Sequence, residues 1–424
     1  MRSHESLSRV GKADAVPEVA KPPSSSCETD QRNSRLSFNT IRVGIDCWGL
    51  NGSLLFTGAG QYTSLIIQAL SARDDVRIVA YGAPDEGRPP WLPSNVPWSA
   101  IPSRLPRRFS AIPTRILTMR HVARRDGIDV FHTPTVHVRP SLPPVASTDC
   151  ARVVTVHDAI PLSLYARDLP FRIRRYYAWN LRRAATADRI ITVSSASRDE
   201  IAAYTDIGAS RVDVIYHGID FARNPDRGAL GRYGVDMPYV LWAGSFEPRK
   251  NLRGALTAFA SLKRDALFAR YQMVALVEAS SGHRQALDAL IANAGMSLRL
   301  IHSVSRDDLR SLYTHADSLL FTSLAEGFGF PPLQAANCGT PVVASDLPAI
   351  REIMSDGALL VNPADPLAIA HGLKSVLRDP VLRSRLITTA QARARTFTRE
   401  ECARQHVEAY RTAIAAHRPR APAP

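Results

Sequence analysis

Short apolar segments of strand length alternate with amphipathic helical patterns along most of this chain. That alternation restricts its fold more than any other feature. The strand-like runs 42–47, 76–81, 130–132, 152–156, 190–193 and 212–215 form a first series. A second comprises 239–243, 272–277, 299–302, 318–321, 341–344 and 358–361. Helical patterns such as 61–70 and 307–315 fill most of the gaps. Strands apolar on both faces and separated by helices belong in parallel sheets covered on both sides. Two such series, divided by the polar stretch 220–236, predict an α/β chain of two doubly wound, Rossmann-like domains. A length of 424 residues suffices for two such cores. The expected limits are a disordered tail over 1–40, a first domain over 41–225 and a second over 236–395. A C-terminal helix over 396–416 should pack back on the first domain, followed by a tail over 417–424. That helix opens on a capping box, Thr398 with Glu401, and carries an apolar row of Ala403, Val407, Tyr410 and Ile414.

Composition narrows the functional classes. No run approaches the roughly 20 apolar residues of a membrane span, and the first 40 residues do not read as a secretory signal. The five cysteines, Cys27, Cys47, Cys150, Cys338 and Cys402, are scattered, which suggests a reducing cytoplasm and no structural metal. The net charge of +14 suits nucleic acid, an anionic membrane surface or a polyphosphorylated ligand. Zinc-finger spacing, aromatic RNA-binding strands and a helix-turn-helix are all absent, so no nucleic-acid partner is expected. The arginines instead cluster. Arg104, Arg107, Arg108, Arg115, Arg120, Arg124 and Arg125 are interleaved with Ile112, Ile116, Leu117 and Val122. A second cluster over 167–183 includes Tyr176, Tyr177 and Trp179. Each is read either as a solvated helix face or as a surface that docks on anionic lipid.

Ligands of doubly wound folds bind at the carboxyl ends of the strands, so the loops there are the place to look. Four stand out. Thr57-Gly58-Ala59-Gly60-Gln61-Tyr62 opens a helix, where glycines admit close backbone approach and the helix start favours phosphate. It lacks the Gly-x-Gly-x-x-Gly spacing of a dinucleotide site. Val156-His157-Asp158 puts a histidine at a strand end, either facing a polar ligand or bonded locally to Asp158. Gly244 to Asn251 carries the adjacent cations Arg249 and Lys250, which suit a diphosphate but also read as plain surface charge. The fourth loop, Glu326-Gly327-Phe328-Gly329, leads into Pro331 and Pro332, residues tolerated in a first helical turn. It offers backbone N–H groups at a helix start with a carboxylate at its edge, a combination for a ligand with both phosphates and hydroxyls.

Together these segments resemble the retaining GT-B glycosyltransferases of family 4, from about residue 41 to residue 410. Gly44-Ile45-Asp46 with Thr57 to Tyr62 resembles that family's GID…TGIGRY start, with Ala59 for isoleucine and Gln61 for arginine. Thr155 to Asp158 resembles its VHD segment. Val193-Ser194 with Tyr216-His217-Gly218-Ile219-Asp220 resembles its VS…NGVD stretch. Gly244 to Asn251 resembles G-x-x-x-PRKN, and the block at Glu326 resembles EGFGxPPLEA. The resemblance implies a GT-B fold, two Rossmann-like domains facing across a cleft. It implies that Arg249 and Lys250 bind a donor diphosphate, helped by Gly58, Ala59 and Gly60 and by the backbone of Gly327, Phe328 and Gly329. It puts His157 near the transferred sugar and Glu326 on sugar hydroxyls. The second glutamate of the family's pair, which holds the ribose, is Gln334 here. An amide still bonds a hydroxyl but gives up a charge-assisted contact.

The implied reaction moves a mannose-like or glucose-like hexose from a nucleoside diphosphate sugar to a glycan or lipid-linked saccharide, in cell-surface polysaccharide synthesis. Retention of configuration follows from the family, as does independence of metal and cofactor. The chain has no Asp-x-Asp motif and no lysine in a distinctive pyridoxal-phosphate context. An epimerase or phosphorylase on the same fold is a second reading. A non-catalytic or divergent sugar-nucleotide-binding protein is a third, and Gln334 is its basis. The expected location is cytoplasmic, with peripheral attachment to the inner face of the membrane.

Overall fold

The computed structural model describes residues 40–48, 50, 58–83, 86–101, 121–136, 150–165, 170–205, 207–235, 238–278 and 298–417. Both expected tails, apart from Thr40 and His417, lie outside these residues.

Thirteen strands are present among the described residues. In chain order they are β1 Ile41–Asp46, β2 Val76–Gly82, β3 Trp98–Ala100, β4 Val130–Thr133, β5 Ala151–Thr155, β6 Arg189–Thr192 and β7 Val212–Val214. These seven form a parallel sheet in the order β3-β2-β1-β4-β5-β6-β7. The others are β8 Tyr239–Ser245, β9 Gln272–Glu278, β10 Leu298–Ile301, β11 Ser318–Phe321, β12 Val342–Ser345 and β13 Ala358–Val361. They form a second parallel sheet in the order β10-β9-β8-β11-β12-β13. The alternation in the sequence therefore corresponds to two doubly wound sheets. Only β3 has no counterpart among the expected strands, because three half-exposed residues at a sheet edge carry almost no pattern.

The helices that matter below are α1 Gly58–Ser71, α2 Phe171–Ala184, α3 Ser195–Ala203, α4 Leu252–Leu262, α5 Arg306–Thr314 and α6 Phe330–Cys338. They continue with α7 Pro348–Met354, α8 Pro366–Arg378, α9 Pro380–Ala394 and α10 Arg399–Ala416. Strand order in each sheet reverses once, between β1 and β4 and between β8 and β11. At such a reversal the loops leave in opposite directions and open a crevice at the carboxyl ends. The loops carrying Arg249, Lys250 and Glu326 follow β8 and β11, so the second crevice is where they lie.

The polar stretch 220–236 packs on the second sheet where it is described. Phe221 meets Tyr313 at a ring separation of 5.4 Å, and Leu230 and Val235 join that core. The chain crosses from the first half to the second near Gly218 and returns near Thr398, and the two crossings touch. Ile219 N–H donates to the Phe397 carbonyl at 2.8 Å, and Arg399 pairs with Asp220 at 2.8 Å. A side chain at Gly218 would stand 2.7 Å from the Thr398 carbonyl oxygen, so only glycine lets the crossings come this close. Helix α10 then packs on the first sheet and on α1, with Cys402, Ala403, Val407 and Tyr410 in that core. Thr398 caps α10 by accepting from the Glu401 N–H at 3.1 Å.

Candidate active site

The loop after β8 turns sharply at Asn251, whose φ of 54° lies in the left-handed region that asparagine tolerates better than most residues. The Asn251 side chain accepts from the Gly254 N–H, capping α4, and donates to the Pro363 carbonyl at 2.8 Å. The turn is also tied to the loop after β11. Leu324 N–H donates to the Arg249 carbonyl at 2.6 Å, and the Thr322 hydroxyl reaches the Asn251 carbonyl at 3.1 Å. The backbone of both loops is therefore fixed before any ligand arrives.

On this frame Lys250 Nζ lies 2.5 Å from Glu326 Oε1, and Arg249 lies 3.4 Å from Oε2. Arg249 also donates to Glu247 at 2.7 Å. Burial of Glu326 favours its protonated form. Lys250, Arg249 and a hydrogen bond from Ser323 outweigh that and hold the carboxyl below its ordinary range. Burial likewise disfavours charge on Arg249, yet Glu326, Glu247 and Asp158 together push its pKa up. Two cations and one ionised carboxylate thus share a nearly enclosed spot, with Glu326 only 9% exposed.

Beyond Glu326 the chain passes to Gly329, with φ of 105°, which only glycine adopts readily, and α6 starts there. Pro331 and Pro332 stand in the first turn as expected, but they also remove two N–H donors from the helix start. The remaining donors of this helix start are mainly backbone N–H groups on Gly327 to Phe330. Gly327 sits against the first half of the molecule. A Cβ there would meet the His157 carbonyl oxygen at 2.6 Å. The Gly327 carbonyl accepts from the hydroxyls of Ser194 at 2.6 Å and Ser197 at 3.1 Å, both at the start of α3. The same helix start receives Glu352 of α7, which accepts from the N–H groups of Ser195 and Ala196 at 2.7 and 3.0 Å. Tyr165 OH accepts from the Arg249 N–H at 3.1 Å, a third contact across the halves.

His157 follows β5 and is half-buried. Its Nε2 lies 2.9 Å from the Pro134 carbonyl. A carbonyl only accepts, so Nε2 carries a proton and donates it there. Tyr62, one turn into α1, meets the His157 ring edge-on at 4.9 Å and the His217 ring at 5.0 Å. His217 in turn stacks on Phe330 at 4.5 Å and meets Phe328 at 4.3 Å.

The structure therefore brings Arg249, Lys250, Glu326, Gly327 and His157 together. The side chain of Phe328 is core packing, which leaves its backbone as the part a ligand can use. Gly58 is exposed at the start of α1, Ala59 half-buried and Gly60 buried. Thr57 lies outside the described residues. Gln334 is half-buried on α6, and its side chain hydrogen-bonds no other described residue. Glu247, Tyr165, Ser194, Ser197, His217 and Glu352 received no role from the sequence. Their partners lie up to 157 residues away, and only the short spacing of Glu247 from Arg249 offered a local signal. Of the first arginine cluster, Arg104, Arg107, Arg108, Arg115 and Arg120 lie outside the described residues, and Arg125 pairs with Asp126 at 2.7 Å. Among the described residues no helix is long and apolar enough to cross a membrane.

Comparison with known proteins follows the same outline. Residues 232–393 match the family model of the glycosyl transferases group 1, and residues 56–223 that of Glycosyltransferase Family 4. An O-antigen chain mannosyltransferase B of Escherichia coli is 31% identical over 53% of this chain and 61% of its own length. A serotype-specific mannosyltransferase, WbdA, of the same organism is 28% identical over 61% of this chain. The chain spans about a third of that relative's length (33%). Among solved structures, a sucrose-phosphate synthase from Thermosynechococcus elongatus superposes with a TM-score of 0.70. It covers 89% of this chain and 100% of that one at 19% identity. Anabaena HepE in complex with UDP-glucose gives 0.66 over 87% of this chain and 98% of its own, at 17% identity. At such identities the likeness concerns the fold, which is GT-B.

Proposed function

This chain belongs to the group 1, family 4 glycosyltransferases, and on that premise we propose that it moves a hexose from a nucleoside diphosphate sugar to a saccharide acceptor. The observation that carries the proposal is the cluster of Arg249, Lys250 and Glu326 at the strand-order reversal of the second sheet. A diphosphate competes with Glu326 for the two cations, and the released carboxylate is then adjacent to the sugar. As the bond to the anomeric carbon breaks, negative charge grows on the leaving phosphate. Arg249, Lys250 and the start of α6 stand where they would stabilise that charge. We assign His157, whose carbonyl lies against Gly327, a contact to the transferred sugar.

We assign retention of configuration from the family resemblance, and mannose as the first sugar to test because mannosyltransferases are among the relatives. The name of one of them favours an O-antigen-like polysaccharide; a lipid-linked acceptor on the cytoplasmic face of a membrane is part of the same proposal. We assign donor contacts to Gly58, Ala59, Gly60, Gly327, Phe328 and Gly329, and the ribose contact to Gln334. The division into domains over 41–225 and 236–395 belongs to the same reading.

A panel of nucleoside diphosphate hexoses, read first by thermal shift and then by donor hydrolysis and transfer to a lipid extract, tests it. One donor should stabilise the chain and be turned over. Binding without turnover would favour the non-catalytic reading that Gln334 raises. No binding by any donor would remove the proposal.

A further inference from the structure

Helix α2 exposes most of its first half and one side of its second, and that exposed side carries the wrong residues for a merely solvated face. Phe171 is 61% exposed, Trp179 43% and Tyr176 36%. A solvent-facing helix is ordinarily polar there, and aromatic groups left in water together mark a contact surface. Asn180, Leu181 and Ala184 form the buried side, so the orientation of the helix is settled by its packing. Arginines fill the spaces between the exposed rings. Arg174 and Arg175 lie over Phe171 at 5.8 and 5.5 Å, and Arg183 over Trp179 at 5.7 Å. The helix contains five arginines and no acidic residue.

We propose that α2 is the surface by which this protein lies on an anionic lipid bilayer. The charge selects the partner: a helix with five arginines and no acidic residue in its sequence complements a sheet of phosphate headgroups. The rings select a bilayer over a soluble polyanion, since Trp and Tyr place an apolar body below the headgroups and a polar edge among them. Position supports the choice. Tyr165, which touches the Arg249 backbone, is six residues before Phe171, so at most about 20 Å of chain separates them. Resting on the reading of a lipid-linked acceptor above, this surface would present that acceptor to the site from the membrane.

The test is flotation with phosphatidylcholine vesicles, with and without phosphatidylglycerol, at low and high salt. The wild-type chain should float only with the anionic vesicles and be released by salt. Replacing Arg172, Arg175 and Arg182 by Ser should lower partitioning about a hundredfold, at about fivefold for each charge. Phe171→Ser with Trp179→Ser should lower it about tenfold and leave the salt dependence in place. A control triple, Arg378→Ser, Arg385→Ser and Arg395→Ser on the other half, removes equal charge and should float as wild type. No flotation at low salt would overturn the proposal, as would equal loss in the control. Capture by polyglutamate without any preference for vesicles would point to an acidic protein and overturn it too. Donor binding, measured without vesicles, should be unchanged in every variant. Its failure would count against the proposed function and not against the surface.

Discussion

At Glu326 a carboxylate and two cations already satisfy one another, which shapes what each mutation should do. Lys250→Ala removes the nearer cation, leaves Arg249 to serve both the carboxylate and a diphosphate, and should weaken donor use tenfold or more, about 1.5–3 kcal/mol. Glu326→Ala frees both cations, so donor affinity should hold or tighten while turnover falls. Isothermal titration and single-turnover rates separate these outcomes, and full activity in both variants would refute the assignment. Gln334→Glu should be tolerated and tighten donor binding without altering the preference among sugars, since the ribose is common to all donors. A donor panel run on that variant checks it. These residues were legible in the sequence because each sits in a short local motif at a strand end. Tyr165, Ser194 and Glu352 were not, because their meaning comes from partners that only the folded chain supplies.

Helix α10 shows what an element adds. Its His406 Nδ1 lies 2.7 Å from the Cys402 carbonyl, so that nitrogen must donate and Nε2 must accept. The direction then propagates through a fully buried chain. Tyr62 OH donates to His406 at 2.9 Å, and Thr155 donates to Tyr62 at 2.8 Å. His132 Nε2 donates to Thr155 at 2.8 Å, and Tyr410 OH donates to His132 Nδ1 at 2.8 Å. The chain begins and ends on α10, and it works only with both histidines neutral. Burial pushes the His406 pKa down to about 4. The unfolded chain therefore takes up a proton near pH 6.5 that the folded one refuses, and stability falls as pH drops from 6.5 toward 4. At about 1.4 kcal/mol per unit this one group removes about 3 kcal/mol. Urea unfolding across that window should show the loss, and His406→Gln should make it less steep without abolishing it, since burial also holds the pKa values of His132 and His217 well down. Tyr62→Phe should cost about 1–3 kcal/mol by leaving His406 and Thr155 unsatisfied, read as a lower urea midpoint. The apolar row and capping box of α10 were visible in its sequence. The bonds to Tyr62, 344 residues away, were not.

For the molecule as a whole, the order of the strands decides where chemistry can occur; the alternation of apolar runs made two parallel sheets expected, and the order within each came from the fold. How the halves meet was not legible, since it depends on Gly218 and Gly327 each having no side chain. Gly327→Ala should push the loop off His157 and weaken donor use at least about tenfold while thermal unfolding shifts little. Turnover together with calorimetry checks it. The side-by-side crossings at Ile219 and Phe397 have a mechanical consequence. Two adjacent strands of chain form a spine, and bodies joined by a spine swing about it more easily than they slide. The Ser194 and Ser197 hydroxyls fasten the free edge of that swing, and they do so on the Gly327 carbonyl, in the loop assigned to the diphosphate. On the proposed function, opening that edge and letting go of the spent nucleotide would be coupled, because the contacts that close it and the contacts that grip the diphosphate share the Gly327 loop.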